Sequence, residues 1–302
     1  MKFVLIALSL LVSTSAQAGL QTEMISYDSG VPFIGKVELR VGHVEAANGR
    51  TQKACVLYLE GLADSIANHE TLFTALSDNG YRVVTFDYMG QGGSKGSMNH
   101  TRVKSTLFPG LDIQEQAKFV WSHYGCEPSR KFVIGWSTGG LASYRLAAEG
   151  WAEAIVAIAP GIHPNMFVGE GTAHPSKMIL FQQVITERTL TRNEFHGQNN
   201  PHVDPIKPVS PMRVPLFAKN LLLTALTSHR WKIPSTVKGF VFLSGFEDTY
   251  VDRASTENTL AANAPHFSVM AYAGALHEID NELPAIANDL IAKTIKFLDR
   301  SL

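Results

Sequence analysis

Three side chains in this sequence have the types and the order that activate a hydroxyl for attack on an acyl carbon: Ser137, Asp248 and His277. A serine hydroxyl is a poor nucleophile until a base takes its proton and a third group orients that base. Ser137 sits at the centre of Gly135-Trp136-Ser137-Thr138-Gly139, a G-x-S-x-G pattern whose sharp turn lifts the hydroxyl above a sheet edge. Gly135 and Gly139 have no Cβ, so strand and helix can approach closely around that turn. The flanks agree. Phe132, Val133 and Ile134 read as an apolar strand, and residues 140–149 read as a helix whose free N–H groups suit an oxyanion. The plain alternative is an ordinary Gly-Ser turn, because the five-residue pattern arises by chance in many chains.

The partners lend the pattern its weight. The apolar run 240–244 ends in Gly245-Phe-Glu-Asp248-Thr-Tyr-Val-Asp252, and the run 267–272 ends in Ala273-Gly-Ala-Leu-His277-Glu-Ile-Asp280. Both follow strands at their carboxyl ends, where ligands bind in open parallel sheets. His277 is the candidate base and Asp248 the candidate orienting acid, with Glu247 and Asp252 as rival acids. His266 precedes its strand, at the opposite edge. His163 and His174 have no ligand-like spacing, and an H-E-x-x-H motif fails because position 281 is Asn, so neither a catalytic metal nor a cofactor is expected. Acyl transfer also needs donors for its oxyanion, each worth ~3 kcal/mol. The N–H of Thr138 is one candidate and the N–H of Leu62, after Glu60-Gly61, is the other. The plain reading of Glu60-Gly61 is a strand-ending turn.

These residues require a particular scaffold. Residues 23–28 and 34–46 read as an opening hairpin, the second arm alternating polar and apolar. The continuous apolar run 54–59 and the runs 81–86, 132–134 and 154–159 read as buried strands of a mostly parallel sheet. Helical patterns at 66–78, 111–124 and 140–149 separate them. This alternation predicts an α/β fold, a mostly parallel, doubly wound sheet with helices on both faces. From Gly161 to about Pro234 the chain is rich in proline and histidine and lacks strand-like runs. That is too long for a structureless loop, so a helical cap is expected over 161–234, between core segments 19–160 and 235–302. Within it, 178–185 and 216–226 are apolar helix candidates. An amphipathic helix over 282–302 closes the chain.

The bulk properties narrow the function. The first 18 residues read as a secretory signal peptide: Lys2 supplies a basic start, residues 3–12 an apolar stretch, and Ala16-Gln17-Ala18 a small-x-small cleavage site. The apolar stretch falls short of the ~20 residues that span a bilayer, so the expected location is periplasmic or secreted. With 26 Lys and Arg against 27 Asp and Glu and no basic cluster, nucleic acid is not an expected partner. The two cysteines, Cys55 and Cys126, fall near the amino ends of adjacent predicted strands, where a disulfide and two free thiols are both open.

With these residues in place the chain resembles the serine hydrolases of the α/β-hydrolase fold grouped around monoacylglycerol lipases and bacterial lysophospholipases of the L2 type. The carriers are Glu60-Gly-Leu-Ala-Asp-Ser65, Phe86-Asp-Tyr-Met-Gly-Gln-Gly-Gly-Ser94, the Ser137 elbow, Gly245-Phe-Glu-Asp248 with Val251-Asp252, and Gly274-Ala-Leu-His-Glu-Ile-Asp-Asn-Glu282. The resemblance implies a triad of Ser137, Asp248 and His277 and an oxyanion hole at Leu62 and Thr138. It covers nearly the whole mature chain except the middle of the cap. Many members carry His-Gly where this chain has Glu60-Gly61; the backbone donor at Leu62 survives that change, and any side-chain role of the usual histidine is put in doubt. The expected activity is ester hydrolysis on a lysophospholipid or monoacylglycerol, with Met178-Ile-Leu-Phe181 and Leu221-Leu-Leu223 either lining an acyl pocket, touching a membrane surface, or packing onto the core. The same triad would serve thioesters, small soluble esters or peptides, and a non-catalytic binder could keep the fold.

Overall fold

A computed structural model describes residues 19–47, 50–62, 64–103, 110–164, 216–246, 248 and 250–302. The chain opens with the antiparallel hairpin β1 (Gln21–Asp28) and β2 (Lys36–Val44), as its alternation predicts. There follow β3 (Ala54–Leu59), a single 3-10 turn Ile66–His69 running into α1 (Glu70–Asp78), and β4 (Tyr81–Phe86). The predicted helix 111–124 is shorter at its start. Leu111–Asp112 (β6) pairs instead with Thr101–Arg102 (β5) in a small parallel ladder before α2 (Ile113–His123). Then come β7 (Phe132–Trp136), α3 (Thr138–Ala148) and β8 (Ala154–Ile158). Beyond residue 215, α4 (Leu216–Ser228), β9 (Lys238–Leu243), α5 (Arg253–Asn263), β10 (Ser268–Ala271) and α6 (Pro284–Asp299) complete the described chain.

The strands form one eight-stranded sheet in the order β1-β2-β4-β3-β7-β8-β9-β10. β2 pairs with β1 and β4 antiparallel, and all other neighbours pair parallel. Strand alternation divides the core between the two faces. Leu57, Leu59, Val133, Ile155 and Ala157 pack with α2 and α3 through Ala117, Val120, Trp121 and Leu146. Their neighbours Val56, Tyr58, Phe132, Ile134 and Val156 pack on the other face with α1 and α6 through Leu72, Phe73, Leu76 and Leu290. Both faces of the central strands are therefore apolar, which is why they read as unbroken hydrophobic runs.

Cys55 and Cys126 are joined in a disulfide that ties β3 to the turn after α2 across 71 residues of sequence. Of the two cap helix candidates, 178–185 lies outside the described residues and 216–226 is the helix α4. Leu221 belongs to the core on the α2–α3 side, so that residue packs inward. No helix among the described residues is long and apolar enough to cross a membrane.

Candidate active site

The geometry of the elbow follows from its small residues. A Cβ on Gly135 would lie 2.2 Å from the carbonyl oxygen of Gly139, and one on Gly139 would lie 2.0 Å from that of Leu59. Only glycine lets β7, α3 and β3 meet this closely. The turn leaves Ser137 at φ 53°, a left-handed conformation that costs a non-glycine residue ~1–3 kcal/mol. Its backbone is held from both sides, its N–H donating to the Ile158 carbonyl at 2.9 Å while its carbonyl accepts from Leu141 and Gly161.

Ser137, Asp248 and His277 come together beyond the carboxyl ends of β7, β9 and β10. His277 Nε2 is 2.8 Å from Ser137 Oγ, and Nδ1 is 2.9 Å from Asp248 Oδ2. A carboxylate only accepts hydrogen bonds, so Nδ1 carries the proton and Nε2 is the acceptor facing the serine hydroxyl. Ser244 also donates to Asp248 Oδ2, and the N–H groups of Tyr250 (2.7 Å) and Val251 (3.3 Å) donate to Oδ1. Burial pushes the Asp248 carboxyl up. The facing His277 and the hydrogen bonds from His277, Ser244 and Tyr250 outweigh burial and hold it below the ordinary carboxylate range.

The imidazole of His277 is held on its surroundings as well as by its nitrogens. Tyr250 stacks on it with ring centroids 4.8 Å apart. Trp136, beside the nucleophile, has its ring centroid 5.5 Å away and donates from Nε1 to the His277 carbonyl at 3.0 Å.

Of the rival acids, Asp252 does different work. Its Oδ1 accepts from the N–H of Ser255 at 2.6 Å and caps α5. Glu247 lies outside the described residues, as does His174. His163 Nε2 meets Thr259 Oγ1 at 2.6 Å and His266 Nε2 meets the Val237 carbonyl at 3.0 Å; neither bonds to the triad. No group of three or more His, Cys, Asp or Glu among the described residues could hold a metal ion.

The two candidate oxyanion donors are reached from the residues around the nucleophile: Thr138 follows it directly, and Leu62 follows Gly61, which packs on Trp136. Thr138 is the first residue of α3, so its N–H has no partner within the helix. Leu62 follows Gly61, whose missing Cβ makes room for the Trp136 ring; a Cβ there would lie 2.4 Å from it. Glu60, which replaces the usual histidine, is fully buried. Its Oε1 accepts from the Tyr88 N–H at 2.9 Å and from Gln91 Nε2 at 2.5 Å, and Gln91 also donates to the Gly61 carbonyl at 2.9 Å. Glu60 thereby clamps the glycine-rich loop onto the segment that leads to Leu62. Burial, with the nearby charges of Asp87 and Asp64, pushes its carboxyl well above the ordinary range despite those two donors.

Sequence reasoning gave no role to Tyr250 or Ser244, although both fell within stretches already singled out, and it did not find a buried histidine, His69, against Trp136. Asp64 and Asp280, which flank His69, also fell within those motifs.

The family model described as serine aminopeptidase, S33, matches residues 50–284. No curated protein matches the chain. Among solved structures, the chain is similar to the monoacylglycerol lipase of Paleococcus ferrophilus, with a TM-score of 0.64 and 18% identity over 88% of this chain and 100% of that one. A soluble variant of monoglyceride lipase from Saccharomyces cerevisiae, in complex with a substrate analog, matches with a TM-score of 0.64 and 17% identity over 95% of this chain and 97% of that one. The highly thermostable carboxyl esterase from Bacillus coagulans, in complex with glycerol, matches with a TM-score of 0.64 and 16% identity over 93% and 98%. At these identities the likeness is one of fold.

Proposed function

The chain belongs to the serine aminopeptidase S33 family, with the α/β-hydrolase fold, and from that premise we propose that it is a serine hydrolase of carboxylic esters, acting on a lipid such as a monoacylglycerol or lysophospholipid. The observation that carries this reading is the unbroken hydrogen-bond chain from Asp248 through His277 to Ser137.

In this mechanism Ser137 Oγ attacks the acyl carbon as His277 Nε2 takes its proton. Asp248 stabilises the imidazolium that forms and remains ionised throughout. The N–H groups of Thr138 and Leu62 receive the oxyanion, each contributing ~3 kcal/mol of transition-state stabilisation. The tetrahedral species collapses, His277 returns the proton to the departing alcohol oxygen, and Ser137 is left acylated. Water then gives its proton to His277 and attacks the acyl-enzyme. The second tetrahedral species releases the fatty acid, and the proton returns to Ser137.

Lipid esters are favoured by the names of the structural neighbours, monoacylglycerol lipases and a carboxyl esterase. The family description, an aminopeptidase, favours a second reading in which the same triad cleaves the amide of an N-terminal residue. We read 161–234 as the cap that selects between such substrates and that touches the membrane surface holding them. The signal-like start at residues 1–18 supports export, and the Cys55–Cys126 bridge supports an oxidising compartment.

The test is fatty-acid release from lysophosphatidylcholine and monoolein by wild type, with Ser137→Ala as control, beside a p-nitrophenyl ester chain-length series and aminoacyl p-nitroanilides. Release by wild type alone supports the lipid reading. A preference for short acyl chains sinks it, and cleavage of the anilides without ester turnover moves the assignment to peptides.

A further inference from the structure

A second imidazole packs against Trp136, the residue before the nucleophile, and takes no part in the steps above. His69 ends the 3-10 turn after the oxyanion loop and is fully buried. Its Nε2 is 2.6 Å from Asp64 Oδ2 and its Nδ1 is 2.7 Å from Asp280 Oδ2. An imidazole can donate to two carboxylates at once only when both nitrogens carry protons. Burial disfavours that charge, yet the two flanking carboxylates hold the His69 imidazolium well above the ordinary histidine range. The surroundings are short of other cations. Tyr58, Phe73 and Trp136 pack around the ring, and the buried Glu60 and Glu278 lie nearby. Arg40, the neighbouring cation, is engaged with Asp87 and Ser65.

What the bridge joins gives it significance. Asp64 follows Leu62, the candidate oxyanion donor, by two positions, and Asp280 follows His277 by three. A second link runs in parallel: Asn281 Nδ2 donates to the Asn68 carbonyl at 3.0 Å, and Asn68 Nδ2 donates to Asp64 Oδ1 at 2.7 Å. Trp136 stands between the two imidazoles, its ring centroid 5.7 Å from that of His69 and 5.5 Å from that of His277.

We propose that His69 is a positioning residue for the reaction: by bridging Asp64 and Asp280 it fixes the loop that carries the Leu62 N–H to the loop that carries His277, so that oxyanion donor and base are set as one unit. The inference rests on the serine-hydrolase reading above. A buried Asp–His–Asp array is an expensive way to pack a core, since apolar residues of the same volume would avoid desolvating three ionisable groups. Its location, spanning two separate catalytic loops, gives it a use that apolar packing does not supply.

The experiment uses the full chain with His69→Gln, Asp280→Ala and Asp280→Asn. It measures p-nitrophenyl butyrate kinetics, the rate of fluorophosphonate labelling of Ser137, and backbone hydrogen exchange. In H69Q and D280A, kcat and the labelling rate should fall on the order of ten- to a hundredfold, with KM within about twofold. Exchange should quicken jointly in segments 60–69 and 276–282 while β8 is unchanged. D280N keeps an acceptor for the Nδ1 proton and should restore most of the lost rate. Should H69Q fail to fold, the contrast between D280A and D280N carries the same test. The proposal is overturned if the folded variants keep kcat within about twofold of wild type, or if exchange quickens in one loop alone. Wild type that neither labels nor turns over the ester would refute the serine-hydrolase reading instead, and joint exchange of the two loops would still report the bridge.

Discussion

Tyr250 lies almost flat on the imidazole of His277, with 22° between the ring planes and the centroids 4.8 Å apart. The same residue's N–H donates to Asp248, so one residue orients both the acid and the base. A π-face against an imidazolium is worth about 0.5–2 kcal/mol, and the charge exists only after proton transfer. Tyr250→Leu should therefore lower kcat several-fold with little change in KM, and Tyr250→Phe should stay near wild type. Steady-state kinetics on a soluble ester checks this.

Ser137→Ala should remove turnover and fluorophosphonate labelling together while leaving the far-UV spectrum and melting curve near those of wild type. The elbow is held by backbone hydrogen bonds to Ile158, Leu141 and Gly161 and by glycine close approaches, none of which uses the hydroxyl. Retained activity would identify another nucleophile.

Asp248→Asn should lower kcat by about 10⁴, because an amide no longer fixes the tautomer that leaves Nε2 as acceptor. Asp252→Asn should leave kcat close to wild type and, at most, cost about 1 kcal/mol of stability through its cap on α5. Parallel kinetics and thermal melts of the pair separate the acid from the cap.

Glu60 provides a test by pH. Its folded-state carboxyl is pushed up by burial and by the charges of Asp87 and Asp64. The folded state therefore holds a proton that the unfolded chain releases near pH 4.3. The stability linked to this proton is complete below that point and is lost as pH rises through the folded value. Glu60→Gln keeps an acceptor for the Tyr88 N–H without an ionisable group. Its melting temperature relative to wild type should rise from pH 4 to pH 8, whereas Glu60→Ala should cost about 1–3 kcal/mol by leaving that N–H unpaired.

The Cys55–Cys126 bridge closes a 71-residue separation, and both cysteines are buried. Its removal in a Cys55→Ser, Cys126→Ser double variant should lower stability on the order of 2–4 kcal/mol. Reductant alone should act slowly on the native protein and quickly once denaturant is added, as followed by thiol titration.

The candidate residues were legible because each follows a strand with an apolar run, even though the strand before His277 is itself partly exposed. Ser137 sits after Phe132-Val-Ile134, Asp248 after Phe240-Val-Phe-Leu243 and His277 after Val269-Met-Ala271. The helix α5 was hidden because its inward face is largely polar, with Thr256, Thr259 and Asn263 beside Leu260, which blurs a hydrophobic period. The same cause made Asp252 resemble a catalytic rival, since a helix cap and a triad acid are both carboxylates in a loop. Leu111–Asp112 pairs with Thr101–Arg102 across a gap in sequence, so the helix start read two residues too early. His69 could not be read at all: one partner is 5 residues away and the other 211, and no local pattern joins them.

The chain on either side of residues 165–215 meets itself near Ile162. Ser228 at the end of α4 donates to the Ile162 carbonyl at 3.4 Å, and Pro164 pairs with Val251 in the acid loop. Chain entering and leaving at one point makes the intervening sequence a module in the evolutionary sense. Doubling its length would add only about 0.6 kcal/mol of closure entropy, and neither β8 nor β9 would have to shift. A lineage can therefore exchange that segment wholesale, or lose part of it, and inherit the same nucleophile, base and acid. If the segment selects the substrate, as we propose, substrate range can change by recombination near Ile162 and Ser228, with no need to rebuild the machinery that breaks the bond.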